Sequence, residues 1–264
     1  MWWFQQGLSI LPVALVLCSA TAFVVPYVTA VLLRHVDPLV PYISDTGTIP
    51  PERCLFGILL NVSALLGVAT VFVHYKYVCV LNPENPGILR LNRLGLALGW
   101  SSCFGLCIIA NFQKCVLYSV HVLGASVTFG TGALYMLAQT ALSFQAQPRR
   151  ARPRLALLLW AGCSGGSSIL VFVSSVLLGS GIYGPGLVQK LHWQPQERGY
   201  IPHMISTISE WSLAFSFLSF FLTYIQDFQT ISLRAVVTLQ GHPLQHSPQS
   251  PENEEQGLLF AGSI

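Results

Sequence analysis

Apolar residues fall in six long runs with short polar stretches between them. Residues 9–33, 55–73, 94–113, 116–146 and 155–178 carry no Asp, Glu, Lys or Arg, and the run at 204–224 carries one acid, Glu210. Crossing a bilayer takes roughly 20 apolar residues of helix, which is about the length of each run. Lipid offers no hydrogen-bond partners, so a spanning segment must close its own backbone as a helix or join a closed barrel. The runs are too long and too uniform for barrel strands. The pattern predicts an all-α polytopic membrane protein, a six-transmembrane-helix bundle over residues 1–229. Its helices are expected at 9–33, 55–78, 94–113, 116–142, 155–178 and 204–224. Residues 230–264 are polar with little to build a core, and are expected to form a disordered tail.

Composition sharpens this reading. Of the 264 residues, 53% are apolar and 9% are charged, against about 25% charged in soluble domains. So few charges cannot coat a water-facing globule of this size. The net charge of +3 is small, and no basic face of the kind that grips nucleic acid is evident. The first run is about twice the usual signal-peptide core, follows an uncharged start and ends in no small-residue cleavage site. It reads as a retained helix, with Trp2, Trp3 and Phe4 at the membrane interface.

Basic residues in the loops set orientation. One side receives Lys76, Arg90, Arg93, Arg149, Arg150, Arg152, Arg154 and Arg234, and the other Arg34, Arg53, Lys114, Lys190 and Arg198. The excess on the first side places both termini in the cytosol. The loop at 34–53 then faces away from the cytosol. Its Asp45-Thr46-Gly47 suits a tight turn whose carboxylate caps nearby N–H groups. The loop between the third and fourth helices is short enough for an antiparallel hairpin, and residues 179–202, with Trp193, are expected to lie on the membrane surface. Small residues four apart, at Gly95/Gly99, Ser126/Gly130 and Gly162/Gly166, mark expected close helix contacts.

Glu210 is the most informative side chain. A carboxylate near mid-bilayer is costly unless paired or protonated, so it should face the interior. His121 matches it in depth, and Asn111 and Asn61 would complete a polar cluster. Two readings stay open: a proton-coupled or lipid-headgroup site, and a structural clasp that fixes helix order. His74 and His203 sit near helix ends and His192 in the 179–202 loop, and all three read as solvated boundary residues. No His, Cys, Asp and Glu set has metal-ligand spacing, no cofactor is indicated, and no nucleophile, phosphate-loop or zinc-protease motif is present, so no catalytic residue is assigned. Cys54 and Cys115 share the non-cytosolic boundary and could bridge. Cys79 suits palmitoylation. The sequon at Asn61 lies inside a helix, out of reach of glycosylation. In the tail, Glu254 followed by Leu258 and Leu259 has the form of an acidic dileucine signal, which clathrin adaptors hold through an apolar groove and a basic patch.

Several segments are carried together: residues 1–9, 41–48, 110–114, 190–193, 210–212 and 220–229. In combination they resemble the DNA damage-regulated autophagy modulator family of six-span proteins, over about residues 1–235. The resemblance implies a lysosomal membrane protein that promotes autophagy and, in some settings, cell death, with the autophagy machinery as partner and no established catalysis. The tail signal would direct such a protein to endosomes and lysosomes, and the plasma membrane is a further expected location. A wider group that the family resembles is concerned with GPI-anchor lipid maturation and with sterol or phosphoinositide organisation. The family pattern includes Asp45, Asn111, His121 and Glu210. The 149–154 stretch is more basic than the family requires, and Cys115 is not a family cysteine, which counts against its bridge to Cys54.

Three functions follow as expectations. The first is a non-enzymatic regulator of autophagy acting through membrane lipids or protein partners. The second is a lipid-handling protein or enzyme built around His121, Glu210 and Asn111. The third is a proton-linked transporter using Glu210, although the interrupted helices of transporters are not evident. A large cavity open to one leaflet and lined by His121 and Glu210 would favour the lipid reading, and a bundle packed shut around them the regulator.

Overall fold

The structure is a computed structural model that describes residues 7–39, 41–146, 148–177, 191–197 and 200–232, with the side chains of 168 and 170–177 left aside. Among these residues the chain is helical, with six long helices: α1 (Ile10–Leu32), α2 (Glu52–Leu81), α3 (Pro86–Asn111), α4 (Tyr118–Ala146), α5 (Pro148–Leu177) and α6 (Tyr200–Leu222). A short helix α7 (Ile225–Phe228) ends the described bundle. Five of them, α1 to α4 and α6, are long and apolar enough to cross a membrane, and α5 is free of charge from Leu155 onward. The interfacial Trp2 and Trp3, most of the 179–202 loop and the whole dileucine tail lie outside the described residues.

The faces of the helices are reversed relative to a soluble bundle. Leu17, Leu65, Phe104, Leu123, Leu159 and Ile208 point outward, while Ser63, Thr70, Thr128, Ser143, Thr207 and Ser216 are buried. Without a hydrophobic drive in lipid, helices associate through small residues and hydrogen bonds. Between α5 and α6 this is a ladder of hydroxyls: Trp160 Nε1 donates to Ser212 at 2.7 Å, Ser164 meets Ser212 at 2.9 Å and Ser167 meets Ser209 at 2.9 Å. Each helix packs mainly on its chain neighbours, and α1 closes the circle against α6. The two ends of the described chain meet, Leu8 N–H donating to the Ile231 carbonyl at 3.1 Å. The described chain therefore starts and finishes at one end of the bundle.

Helix starts differ from the hydropathy reading. α3 begins eight residues before the expected 94, because the Asn85 side chain accepts from the N–H groups of Gly87 and Ile88, both at 3.1 Å, and Pro86 fits the first turn. α5 begins at Pro148, so the arginines expected in a loop are helical. Charge ended the apolar runs, but helices of 30 residues such as α2 and α5 span about 45 Å at 1.5 Å per residue and carry their polar ends beyond the hydrocarbon.

The small-residue pairs divide. A Cβ on Gly99 would lie 2.7 Å from Val71, and one on Gly95 2.9 Å from Gln139, so that pair is at a contact. Nothing lies within 4 Å of a Cβ built on Gly130, Gly162 or Gly166. The expected contacts at Ser126/Gly130 and Gly162/Gly166 are corrected accordingly, since spacing gives a shared face without saying where the face points. A tight helix crossing falls elsewhere. Gly105 of α3 and Gly124 of α4 face each other, and a Cβ on Gly105 would lie 2.6 Å from Thr128 Oγ1 and 2.9 Å from the Gly124 carbonyl.

Candidate functional site

Loop 34–51 leaves α1 through a left-handed residue, Arg34 (φ 60°). It then folds back into the bundle as a plug. Tyr27 Oη donates to the Pro38 carbonyl at 2.6 Å, and Trp211 Nε1 donates to Pro41 at 3.0 Å. Asp45, Thr46 and Gly47 form one 3₁₀ turn and all three are buried. The Asp45 carboxylate accepts from the Tyr42 N–H at 3.2 Å, and the Thr46 hydroxyl donates to Ile43 at 2.7 Å.

Lys114, from the α3–α4 loop, anchors this turn. Its ammonium donates to Asp45 Oδ1 at 2.7 Å and lies 4.4 Å from the centre of the Tyr42 ring. Burial works against the ammonium, but the Asp45 carboxylate outweighs it and holds the amine above its ordinary value. Next to the turn, Trp193 stacks on His203 at 4.2 Å, and Tyr42 meets the same ring edge-on at 5.0 Å. His203 is buried, not a solvated boundary residue. Asp37 accepts from the Trp193 N–H at 2.7 Å and pairs with the His192 ring at 3.0 Å. Burial opposes its charge, and these hydrogen bonds still hold Asp37 below the ordinary carboxylate value.

Beneath the plug lies a cavity of about 130 Å³, lined by α1, α2, α3, α4, α6 and the plug itself. Its walls are mostly apolar. Its polar end holds Glu210 and His121 beside Ser44. Glu210 meets the Ile43 N–H and is in electrostatic range of Asp45 and Lys114. Its Oε2 is buried without a hydrogen-bond partner among the described residues. His121 Nδ1 is committed to the Phe112 carbonyl at 2.8 Å.

The polar cluster expected from the sequence is thus two sites. Glu210 and His121 share the cavity. Asn61 and Asn111 pair with each other, at 3.0 and 3.3 Å, on the outer side of α2 and α3, away from the cavity lining. The sorting residues Glu254, Leu258 and Leu259 lie outside the described residues. Cys54 and Cys115 are both free thiols. Among the described residues, no three His, Cys, Asp or Glu side chains gather as a metal ion would require.

A second buried ionic cluster stands at the opposite end. Asp227 of α7 is paired with both Arg150 and Arg154 of α5, and His74 Nε2 lies 3.7 Å from it. Arg154 also donates to Ser143 at 2.6 Å and to Thr223 at 3.1 Å, and its guanidinium lies 4.9 Å from the Tyr224 ring centre. His74 stacks on Tyr224 at 4.1 Å, and the Tyr224 hydroxyl donates to Tyr135 at 2.7 Å. His74 is therefore buried too, contrary to expectation. The sequence carried a signal for this cluster: Arg150 and Arg154 are four apart, hence on one helix face, and an acid follows the last span.

The family described as Frag1/DRAM/Sfk1/Cwh43P N-terminal domain matches residues 7–231. The chain is 52% identical to DNA damage-regulated autophagy modulator protein 2 of Bos taurus and 51% identical to that of Homo sapiens, each over all of both chains. It is 38% identical to DNA damage-regulated autophagy modulator protein 1 of Homo sapiens, over 90% of this chain and 98% of the relative. No solved structure matches.

Proposed function

The chain belongs to the Frag1/DRAM/Sfk1/Cwh43P family, and from that premise we propose that it is a multi-pass membrane protein that modulates autophagy. The observation that carries this reading is a likeness running over the whole chain to relatives named as autophagy modulators. In finer detail, the protein resides in the lysosomal membrane with both termini in the cytosol, promotes autophagic flux and contributes to apoptosis. It acts as a non-enzymatic regulator. The Glu254, Leu258 and Leu259 signal recruits a clathrin adaptor, which routes the chain through endosomes and the plasma membrane. Neither buried ionic cluster presents a nucleophile with a base and an orienting partner.

The test is autophagic flux in cells lacking the protein, restored with wild type at matched levels. Restored flux is expected, and flux indifferent to the protein would overturn the reading. Leu258→Ala with Leu259→Ala should move the protein off lysosomes, and unchanged lysosomal residence would reject the sorting signal. Protease protection in sealed vesicles tests the two termini.

A second reading is favoured by one specific observation: Glu210 and His121 share an apolar cavity. It is lipid handling, in which an amphiphile occupies the bundle. The cavity is modest rather than wide, which suits binding better than turnover of a two-chain lipid.

A further inference from the structure

The cavity's polar end holds two acceptors, Glu210 and His121, beside the Ser44 hydroxyl. Asp45, close by but outside the lining, is already matched by Lys114. Glu210 is not matched: its Oε2 is buried without a hydrogen-bond partner among the described residues, and the carboxylate borders the cavity. His121 gives its Nδ1 hydrogen to the Phe112 carbonyl, which leaves Nε2 of the neutral ring as an acceptor. A buried acceptor needs a donor, and a carboxylate at membrane depth needs one most.

The rest of the lining is oily. Leu15 and Phe23 of α1, Leu60 of α2, Leu106 of α3 and Phe217 of α6 are among its walls. Gly67, Gly99 and Gly132 border it at close packing contacts, and a Cβ on Gly67 would press on Cys103 at 2.8 Å. The volume of about 130 Å³ is near that of an engineered cavity of about 150 Å³ that takes benzene. It admits a head and the first few carbons of one chain, not the glycerol body of a two-chain lipid.

We propose that this cavity binds a single-chain cationic amphiphile, a long-chain primary amine, with its ammonium on Glu210 and its leading carbons among the apolar walls. The proposal rests on the lipid-handling reading and names the ligand class for it. Pairing with the ammonium keeps Glu210 ionised, and that pairing selects an amine over a carboxylic acid, since a charge-assisted hydrogen bond is the strong kind. His121 is a second acceptor for the same head.

The experiment uses the full chain in phosphatidylcholine nanodiscs. The probes are dodecylamine, dodecanol and dodecanoic acid, each carrying the same photoactivatable group on the carbons next to the head. The amine should label residues that border the cavity, and unlabelled dodecylamine should compete about tenfold better than dodecanoic acid. Glu210→Gln should lower amine labelling by about tenfold while sparing the alcohol. Ala214→Leu, which fills the cavity, should remove labelling by all three. Equal competition by amine and acid on the wild type overturns the ligand class, and this comparison stands even if Glu210→Gln fails to fold. Labelling of cavity residues by every probe alike leaves the lipid-handling reading intact while rejecting the amine. No cavity labelling by any probe, or labelling that Ala214→Leu leaves unchanged, overturns both.

Discussion

Arg154 and Asp227 stand 73 positions apart and meet at 2.7 Å through Nη2 and Oδ2, both side chains buried. The contact ties the start of α5 to the turn after α6, and Arg150 pairs with the same carboxylate. Removing one partner of a buried pair leaves an unmatched charge, which typically costs about 3–5 kcal/mol. Asp227→Asn should destabilise the purified protein by that order. In a double-mutant cycle of Arg154→Met with Asp227→Asn, thermal unfolding should show a coupling of roughly 1–3 kcal/mol. Simple additivity would show that the pair carries no coupling.

Lys114 holds the plug through Asp45, so Lys114→Met should lower stability by about 3 kcal/mol and loosen loop 34–51 to proteolysis. The pH dependence follows from the raised value of the amine. A group raised on folding contributes fully below its unfolded value, about 10.4, and its contribution is lost only as pH rises through the higher folded value. The gap between wild type and Lys114→Met should stay flat from about pH 7 to 9 and shrink in strong alkali. A gap that closes near neutrality would contradict the pairing.

The glycines separate by what surrounds them. At Gly105 a methyl would meet backbone as well as a hydroxyl, the Thr128 N–H lying 2.7 Å away. Gly105→Ala should therefore push α3 from α4 and cost about 1–3 kcal/mol. At Gly162 the same methyl meets open space, and Gly162→Ala should be neutral or stabilising by up to about 1 kcal/mol. Unfolding curves of the two variants side by side decide the matter.

Arg34 closes α1 in the left-handed conformation. Its N–H donates to Val31 at 3.1 Å and that of His35 to Ala30 at 2.8 Å, the Schellman arrangement in which glycine is usual. A non-glycine residue there carries about 1–2 kcal/mol of strain. Arg34 is exposed, so Arg34→Gly should raise stability by roughly 0.5–1 kcal/mol once glycine's greater unfolded freedom is subtracted. Thermal shift measures it, and a clear loss would mean that the side chain has a partner of its own.

Legibility followed the strength of the constraint. The Asp45 turn was legible because its capping is local: the carboxylate reaches Tyr42, three residues away. Glu210 was legible as an inward residue because lipid penalises any other placement. Asn61 and Asn111 were read as partners of Glu210 because depth along a helix can be estimated from sequence, whereas rotation about its axis cannot. Their pairing on another face of the bundle is a matter of rotation. His74 and His203 sat at the ends of apolar runs, where solvation is the ordinary outcome, and only the approach of Asp227 and Trp193 made those ends interior.

The amino-acid order by itself determined the solvent and the elements. Runs of apolar residues longer than a bilayer requires must form helices, because lipid satisfies no backbone group. Tertiary structure decided which faces meet. It turned Arg150 and Arg154 from loop charges into a clamp on the buried Asp227, made Gly105 and Gly124 a tight crossing in place of Gly162 and Gly166, and left Glu210 facing a cavity. Those outcomes depend on the rotation and crossing of whole helices, which are set by contacts between residues far apart in the chain, and no local pattern encodes them.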